Sequence, residues 1–285
     1  MVREFSLINE NSEEFSLMDI YNYCLLTDPE GLGYSYSNTY GQVANKFINI
    51  LKTINQGSFS GQVNFINYDN YFNLVNFIEK SEKLKLKYTV PYKTMEPVTY
   101  YRNIDMASIT KTQIQENGIL SETLDLEFTS LWYITESTEY EIGDQEDEIR
   151  WDFRWDSRFL SNNSNAIDYI NNGHAPARVT IEIEGYSVNP TFIVEQGANR
   201  LYELPINVTI DIGEKLLFSS LENDFYIKKV NMITGVETNL FTLDNIDFSK
   251  DYILTLPKGE SMLTIETDDI LNQATVNIYS YYKAT

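Results

Sequence analysis

Leu124–Asp125–Leu126–Glu127–Phe128–Thr129 is the stretch that decides the fold class. Apolar and polar residues alternate with period two. In an extended chain the three apolar side chains therefore share one face and the polar ones the other. That is the pattern of an antiparallel strand with one dry and one wet face. Val179–Thr180–Ile181–Glu182–Ile183–Glu184 repeats it, and Gln62–Val63–Asn64–Phe65 does so over a shorter run. Around these segments the composition is that of a β protein, with 21 Tyr, 15 Phe and recurrent short runs of Thr, Ile and Val. Turn signals punctuate the runs at Asp28–Pro29–Glu30–Gly31, Glu116–Asn117–Gly118, Asn171–Asn172–Gly173 and Thr234–Gly235.

One segment departs from this period. Tyr71, Leu74, Val75 and Ile78 fall at helical spacing, which predicts a helix over about 70–83. Asn67 or Asp69 is its expected N-cap, because either side chain can accept a bond from a free backbone N–H. Lys80, Lys83 and Lys85 are expected near its C-terminal end, where positive charge is favoured. The expectation is an all-β protein with one accessory α-helix.

At 285 residues the chain suggests about two domains. A boundary is expected near 136–150, where Glu136, Glu139, Glu141, Asp144, Glu146, Asp147 and Glu148 form an acid-rich stretch around Gly143. Such a run reads as a solvated hairpin or connection, and its spacing does not fit an EF-hand loop. The predicted domains are therefore 1–140 and 141–285. The second is a β-rich block of short, evenly interrupted strands, as in a sandwich or jelly roll.

Charge and residue types exclude several functions. The formal charge is −21, from 42 acidic and 21 basic side chains. A surface this acidic repels nucleic-acid phosphates and anionic lipid heads, so sequence-specific nucleic-acid binding is not expected. With one histidine, His174, and one cysteine, Cys24, no His/Cys metal site and no disulfide is expected. His174 sits in turn chemistry before Pro176, and no Gly-x-Ser-x-Gly elbow or phosphate-cradling glycine loop occurs. Cys24 lies in an apolar run and reads as a buried, inert thiol. Carboxylate pairs carry no information when acids are this abundant. No catalytic residue, cofactor or metal is predicted. The opening residues lack the apolar core of a signal peptide, and no apolar run is long enough to cross a membrane.

The most unusual segment is Trp151–Asp152–Phe153–Arg154–Trp155–Asp156–Ser157–Arg158. Extended, it places Trp151, Phe153 and Trp155 on one face and charged residues on the other. This fits a core-facing aromatic strand with an ion-paired outer face. It also fits a subunit contact or a sugar-stacking platform. Trp and Arg concentrate at contact centres, so Trp151, Arg154, Trp155 and Arg158 are the candidate interface residues.

Several segments together resemble the distal tail protein (Dit) family of siphophages. Arg3–Glu4–Phe5–Ser6–Leu7–Ile8–Asn9–Glu10 is similar to its opening strand and turn. Leu26–Thr27–Asp28–Pro29–Glu30–Gly31–Leu32–Gly33 is similar to the segment that follows, and Gly61–Gln62–Val63–Asn64–Phe65 leads into the one helix. Tyr100–Tyr101–Arg102–Asn103–Ile104, Leu131–Trp132–Tyr133, Trp155–Asp156–Ser157–Arg158–Phe159, Asn171–Asn172–Gly173–His174 and Ile183–Glu184–Gly185–Tyr186–Ser187–Val188–Asn189–Pro190 carry the resemblance on to about residue 190.

The resemblance implies a role without chemistry. It implies an N-terminal β-sandwich or split barrel that builds a homohexameric ring around a channel for DNA. It also implies a C-terminal galectin-like, jelly-roll sandwich projecting outward. The implied partners are further copies of the chain, the major tail tube protein above, and the tail-associated lysin or tail fibre protein below. In many phages receptor-binding proteins attach as well. The implied location is the tail tip of the virion, after synthesis in the host cytoplasm. Edge strands of the N-terminal domain are expected to pair across subunits. The competing reading is a carbohydrate-binding module or receptor-binding protein recognising cell-wall saccharide. The three tryptophans, at 132, 151 and 155, leave any such platform beyond 155 to tyrosine.

Overall fold

A computed structural model describes residues 3–20, 23–91, 96–142, 164–268 and 272–285. Two compact units divide the chain. One comprises residues 1–134 with 282–285, and the other residues 135–281.

The chain opens with β1 (Glu4–Asn9), β2 (Glu14–Ser16), β3 (Met18–Asp19) and β4 (Cys24–Glu30). Next come β5 (Tyr36–Val43), β6 (Lys46–Ile54) and β7 (Ser58–Phe65), then the helix α1 (Tyr68–Glu79). β8 (Leu84–Val90), β9 (Val98–Ile109), β10 (Leu120–Phe128) and β11 (Trp132–Ile142) follow. Antiparallel pairing gives the order β2-β1-β8-β9-β10-β7-β4-β3. The two ends of this sheet meet at Leu17, whose N–H donates to the Phe5 carbonyl at 2.9 Å while its own carbonyl accepts from Leu26 N at 2.7 Å. The sheet thus curls without closing.

The alternation of burial at 124–128 extends through all of β10, where Leu120, Leu124, Leu126 and Phe128 are buried together with Glu122. The four apolar residues join Phe5, Leu7, Phe59, Val63, Phe65, Leu86 and Trp132 in one core. On the outer face Asp125 accepts from Ser60 Oγ at 2.7 Å and Ser108 Oγ at 2.8 Å, tying β7, β10 and β9 together. Arg102 and Trp132, from two of the segments that carry the family resemblance, meet inside this core. The Arg102 guanidinium lies 3.6 Å from the Phe128 ring centre and 5.4 Å from that of Trp132, and its Nε donates to the Ser130 carbonyl at 2.7 Å. Burial lowers its pKa to about 10, so it stays charged at neutral pH.

Two local expectations are corrected. The helix is Tyr68–Glu79, not 70–83. Its start is set by Asn67, whose Oδ1 accepts from Asn70 N at 2.9 Å. Lys80 is the C-cap, and Ser81 Oγ donates to the Phe77 carbonyl at 2.7 Å. The Glu10 carboxylate then accepts from Glu82 N and Lys83 N, drawing the chain away into β8. No basic residue lies in the last helical turn, and Lys85 belongs to β8. The predicted stripe is otherwise as read: Tyr71, Leu74 and Ile78 are buried, and Val75 packs beside them.

Asp28–Pro29–Glu30–Gly31, expected as a turn, is instead a bulge that ends β4, where the register slips between Thr27 and Glu30. Pro29 has no N–H for a ladder, which suits a bulge. Gly31 stands at φ +86°, and a Cβ there would fall 1.9 Å from the Ser58 carbonyl oxygen, so only glycine fits.

The second unit is a sandwich. Its strands are β12 (Ser164–Asn171), β13 (Ala177–Glu184), β14 (Ser187–Val188), β15 (Thr191–Gln196) and β16 (Asn199–Pro205). β17 (Thr209–Ile210), β18 (Glu214–Ser219), β19 (Tyr226–Asn231) and β20 (Glu237–Asn239) come next. β21 (Thr255–Leu256), β22 (Gly259–Glu266) and β23 (Asn272–Tyr282) complete it. One sheet runs β20-β19-β18-β13-β23 and the other β12-β22-β15-β16. Val179, Ile181 and Ile183 of β13 face the same core as Phe192 and Val194 of β15 and Leu263 and Ile265 of β22.

The acid-rich segment continues as strand β11 as far as Ile142. Its remainder lies outside the described residues. Among the described residues no helix is long and apolar enough to cross a membrane.

Candidate assembly surface

The β5–β6 hairpin differs from every other ladder in the first unit. Eight residue pairs run from Tyr36↔Ile54 to Val43↔Lys46, yet among the described residues neither strand pairs with any third one. Nine extended residues span roughly 30 Å. No residue of either strand is buried. The turn is tight, with Ala44 at φ +54°, a conformation the first position of a hairpin turn favours and a Cβ resists. The base is fastened by Asn55: its N–H donates to the Ser35 carbonyl at 3.0 Å, and its Oδ1 accepts from Ser37 Oγ at 2.7 Å.

The register sorts the hairpin into two faces. Val43, Ile48, Ile50 and Leu51 share one, alongside Thr39 and Gly41. A Cβ on Gly41 would come within 2.5 Å of Ile50 Cδ1, so the missing side chain makes room for Ile50 to lie across the ribbon. Ile50 itself sits in the bulge where the register shifts opposite Thr39 and Tyr40. The other face carries Tyr36, Asn38, Tyr40, Phe47, Asn49 and Lys52. There Asn49 Nδ2 donates to Asn38 Oδ1 at 3.0 Å, and the Lys52 ammonium lies 4.0 Å over the Tyr36 ring. Ile50 is 70% exposed and Phe47 73%.

This is a ribbon of large apolar side chains, none of them buried among the described residues. Isolated two-stranded hairpins are marginal in water. Covering Val43, Ile48, Ile50 and Leu51 would contribute on the order of 1–2 kcal/mol each, since all are more than half exposed. Both long edges also present unpaired backbone groups able to extend into another sheet. Its charge is distinct too. No acidic residue lies between Glu30 and Asp69, although the chain holds 42, and Lys46 and Lys52 make the hairpin basic. That gap in the acid distribution is the sequence signal that marks this segment, and the period-two reading alone passes over it.

The residues singled out from the sequence fall elsewhere. Trp151, Arg154, Trp155 and Arg158 lie outside the described residues. His174 is exposed in the turn before β13, where its N–H donates to the Tyr281 carbonyl. Cys24 is buried at the start of β4, and burial pushes its pKa up to about 12, with Asp19 adding to the rise. It is a neutral thiol at physiological pH and not a nucleophile. Among the described residues no group of three or more His, Cys, Asp or Glu is placed to hold a metal ion.

Residues 4–129 match the family model described as the distal tail protein, N-terminal domain. In fold, the chain is similar to a chain of the phage P2 baseplate in its activated conformation with Ca. The identity is 16%, all of both chains is covered, and the TM-score is 0.67. It is also similar to the Dit protein of phage SPP1, described as a paradigm of the hub adsorption apparatus in Gram-positive infecting phages. There the identity is 11%, the coverage 97% of this chain and 98% of that one, and the TM-score 0.59. No protein of curated function matches the sequence.

Proposed function

We propose, from the premise that this chain carries the N-terminal domain of the distal tail protein family, that it is a structural component of a phage tail tip. In this reading six copies close into a ring hub, and the ring joins the tail tube to the tail-associated fibre or lysin protein around a channel for DNA. Residues 1–140 build the ring, and residues 141–285 project outward and offer a place for receptor-binding proteins. No bond is made or broken.

The observation that carries the reading is the family match over residues 4–129, within which the β5–β6 hairpin lies. A cyclic ring needs two different complementary surfaces on each subunit, so that each copy grips the next. A long ribbon with apolar faces and free edges is suited to be one of them. The strong negative charge is suited to a channel wall that does not retain passing DNA.

The test is electron microscopy and light scattering of the purified chain. A ring with a central hole and six times the 33.1 kDa chain mass is expected. A stable monomer that binds cell-wall glycans would replace this reading with that of a carbohydrate-binding module.

A further inference from the structure

We infer that the aliphatic face of the β5–β6 hairpin is received by an aromatic patch at the head of α1 on the next copy of this chain. This deepens the ring reading and rests on it. If the hairpin is one of the two surfaces a ring requires, the other must be a separate exposed apolar surface on a ring-forming subunit.

The first unit has such a surface. Ile66 and Ile119 flank the terminal register pair Phe65↔Leu120 of the β7–β10 ladder, and both are exposed. Tyr68 and Phe72 stand on the outward side of α1, and Ile114 comes over Tyr68 from the β9–β10 connection, its N–H 3.4 Å from the Tyr68 hydroxyl. The Lys111 ammonium lies 4.5 Å over the Phe72 ring and 5.6 Å over that of Tyr68, joining the connection to the helix.

The patch is held in place before any partner arrives. The buried Glu122 carboxylate accepts from Thr110 Oγ1 at 2.6 Å and from both N and Oγ1 of Thr112, at 2.5 and 2.8 Å. Asn67 caps the helix start. Beneath Phe72, the buried Tyr71 hydroxyl is held above its usual pKa by burial first and by the Glu122 carboxylate second. A preorganised acceptor loses little entropy on binding.

Charge identifies the occupant. The aliphatic face brings Lys46, paired with Val43, and no acid, whereas the patch carries the exposed Asp69 and Glu116 beside Lys111 on a chain of net charge −21. A basic, aliphatic ribbon and an acid-rimmed aromatic surface on the same polypeptide are complementary between copies.

The test uses the full-length chain with one cysteine introduced at a time, Ile50→Cys or Phe72→Cys, against the buried and unreactive Cys24. The two variants are mixed, allowed to assemble and treated with a short bismaleimide. A covalent dimer is expected in the mixture and not in either variant alone. Phe72→Asp is the companion variant: it is expected to abolish ring formation while leaving the thermal unfolding transition in place. Rings that form normally with Phe72→Asp, or assembled mixtures that yield no covalent dimer, overturn the patch as acceptor and leave the ring reading standing. If Ile50→Asp disrupts rings where Phe72→Asp does not, the hairpin is seated on some other surface, such as an adjoining tail protein. A wild-type chain that never assembles removes the ring reading and this inference together.

Discussion

The β7–β10 and β5–β6 ladders are each eight residue pairs of antiparallel strand, and they meet opposite fates. In the first, the alternate side chains Phe59, Val63, Phe65, Leu120, Leu124 and Leu126 are buried in the core, and the outer face is knitted by Ser–Asp hydrogen bonds. In the second, equally large apolar side chains stand in water on a ribbon with two bare edges. Strand-forming residues at strand spacing are present in both. What differs is whether this chain supplies the second layer. A sheet face is stable only against a partner surface, and the β5–β6 hairpin lacks one within its own chain among the described residues.

The sharpest way to break that contrast is to truncate one side chain from each ladder. Leu124→Ala should destabilise the first unit by about 2–5 kcal/mol, measured by denaturant unfolding, because it opens a cavity in packed core. A change no larger than that for an exposed site would show that the β7–β10 face is not core at all.

Alkaline pH probes the buried ladder without mutation. Cys24 pairs with Phe65 across β4 and β7, and its folded pKa of about 12 lies above the ordinary thiol value of 9.0. A raised folded pKa means that the unfolded chain gives up its proton first. Stability from this group is therefore full below pH 9 and declines as pH rises toward 12. Urea midpoints collected across that window should fall in the wild type and fall less in Cys24→Ala.

Smaller effects sharpen the comparison at the ends of β7 and β10. Glu122→Ala removes the acceptor for three donors of Thr110 and Thr112. It should cost about 1–3 kcal/mol and raise amide exchange through residues 110–119. Asn67→Ala removes the α1 cap and should cost about 1 kcal/mol, read from the same unfolding curves. Ile50→Ala stands last. As an exposed ribbon residue it should leave monomer stability within about 0.5 kcal/mol of the wild type while weakening self-association in sedimentation. A large loss of monomer stability instead would place Ile50 in a core of its own chain.

Much of this was legible from residues alone. The runs at 62–65 and 179–184 are strands with the predicted dry faces, and so is that at 124–129 up to Phe128, because period-two patterning is a property of the extended backbone itself. Tyr71, Leu74 and Ile78 mark the helix for the same kind of reason, at a different period. The misread places are those where a distant residue intervenes. Glu10 ends the chain's path out of α1 by accepting from Glu82 and Lys83, and the Ser58 carbonyl dictates glycine at 31. Period alone gives no sign that Val43, Ile48, Ile50 and Leu51 stand exposed. Apart from the absence of acids between Glu30 and Asp69, nothing local distinguishes these apolar side chains from ones covered by their own domain.

Composition and period were therefore enough to establish a β protein with one helix, since each depends on neighbours in sequence. Which ladder lies under cover and which stands bare was decided only in three dimensions. Burial depends on what the rest of the chain places against a face, and that information is spread over residues as far apart as Phe5, Phe65 and Trp132.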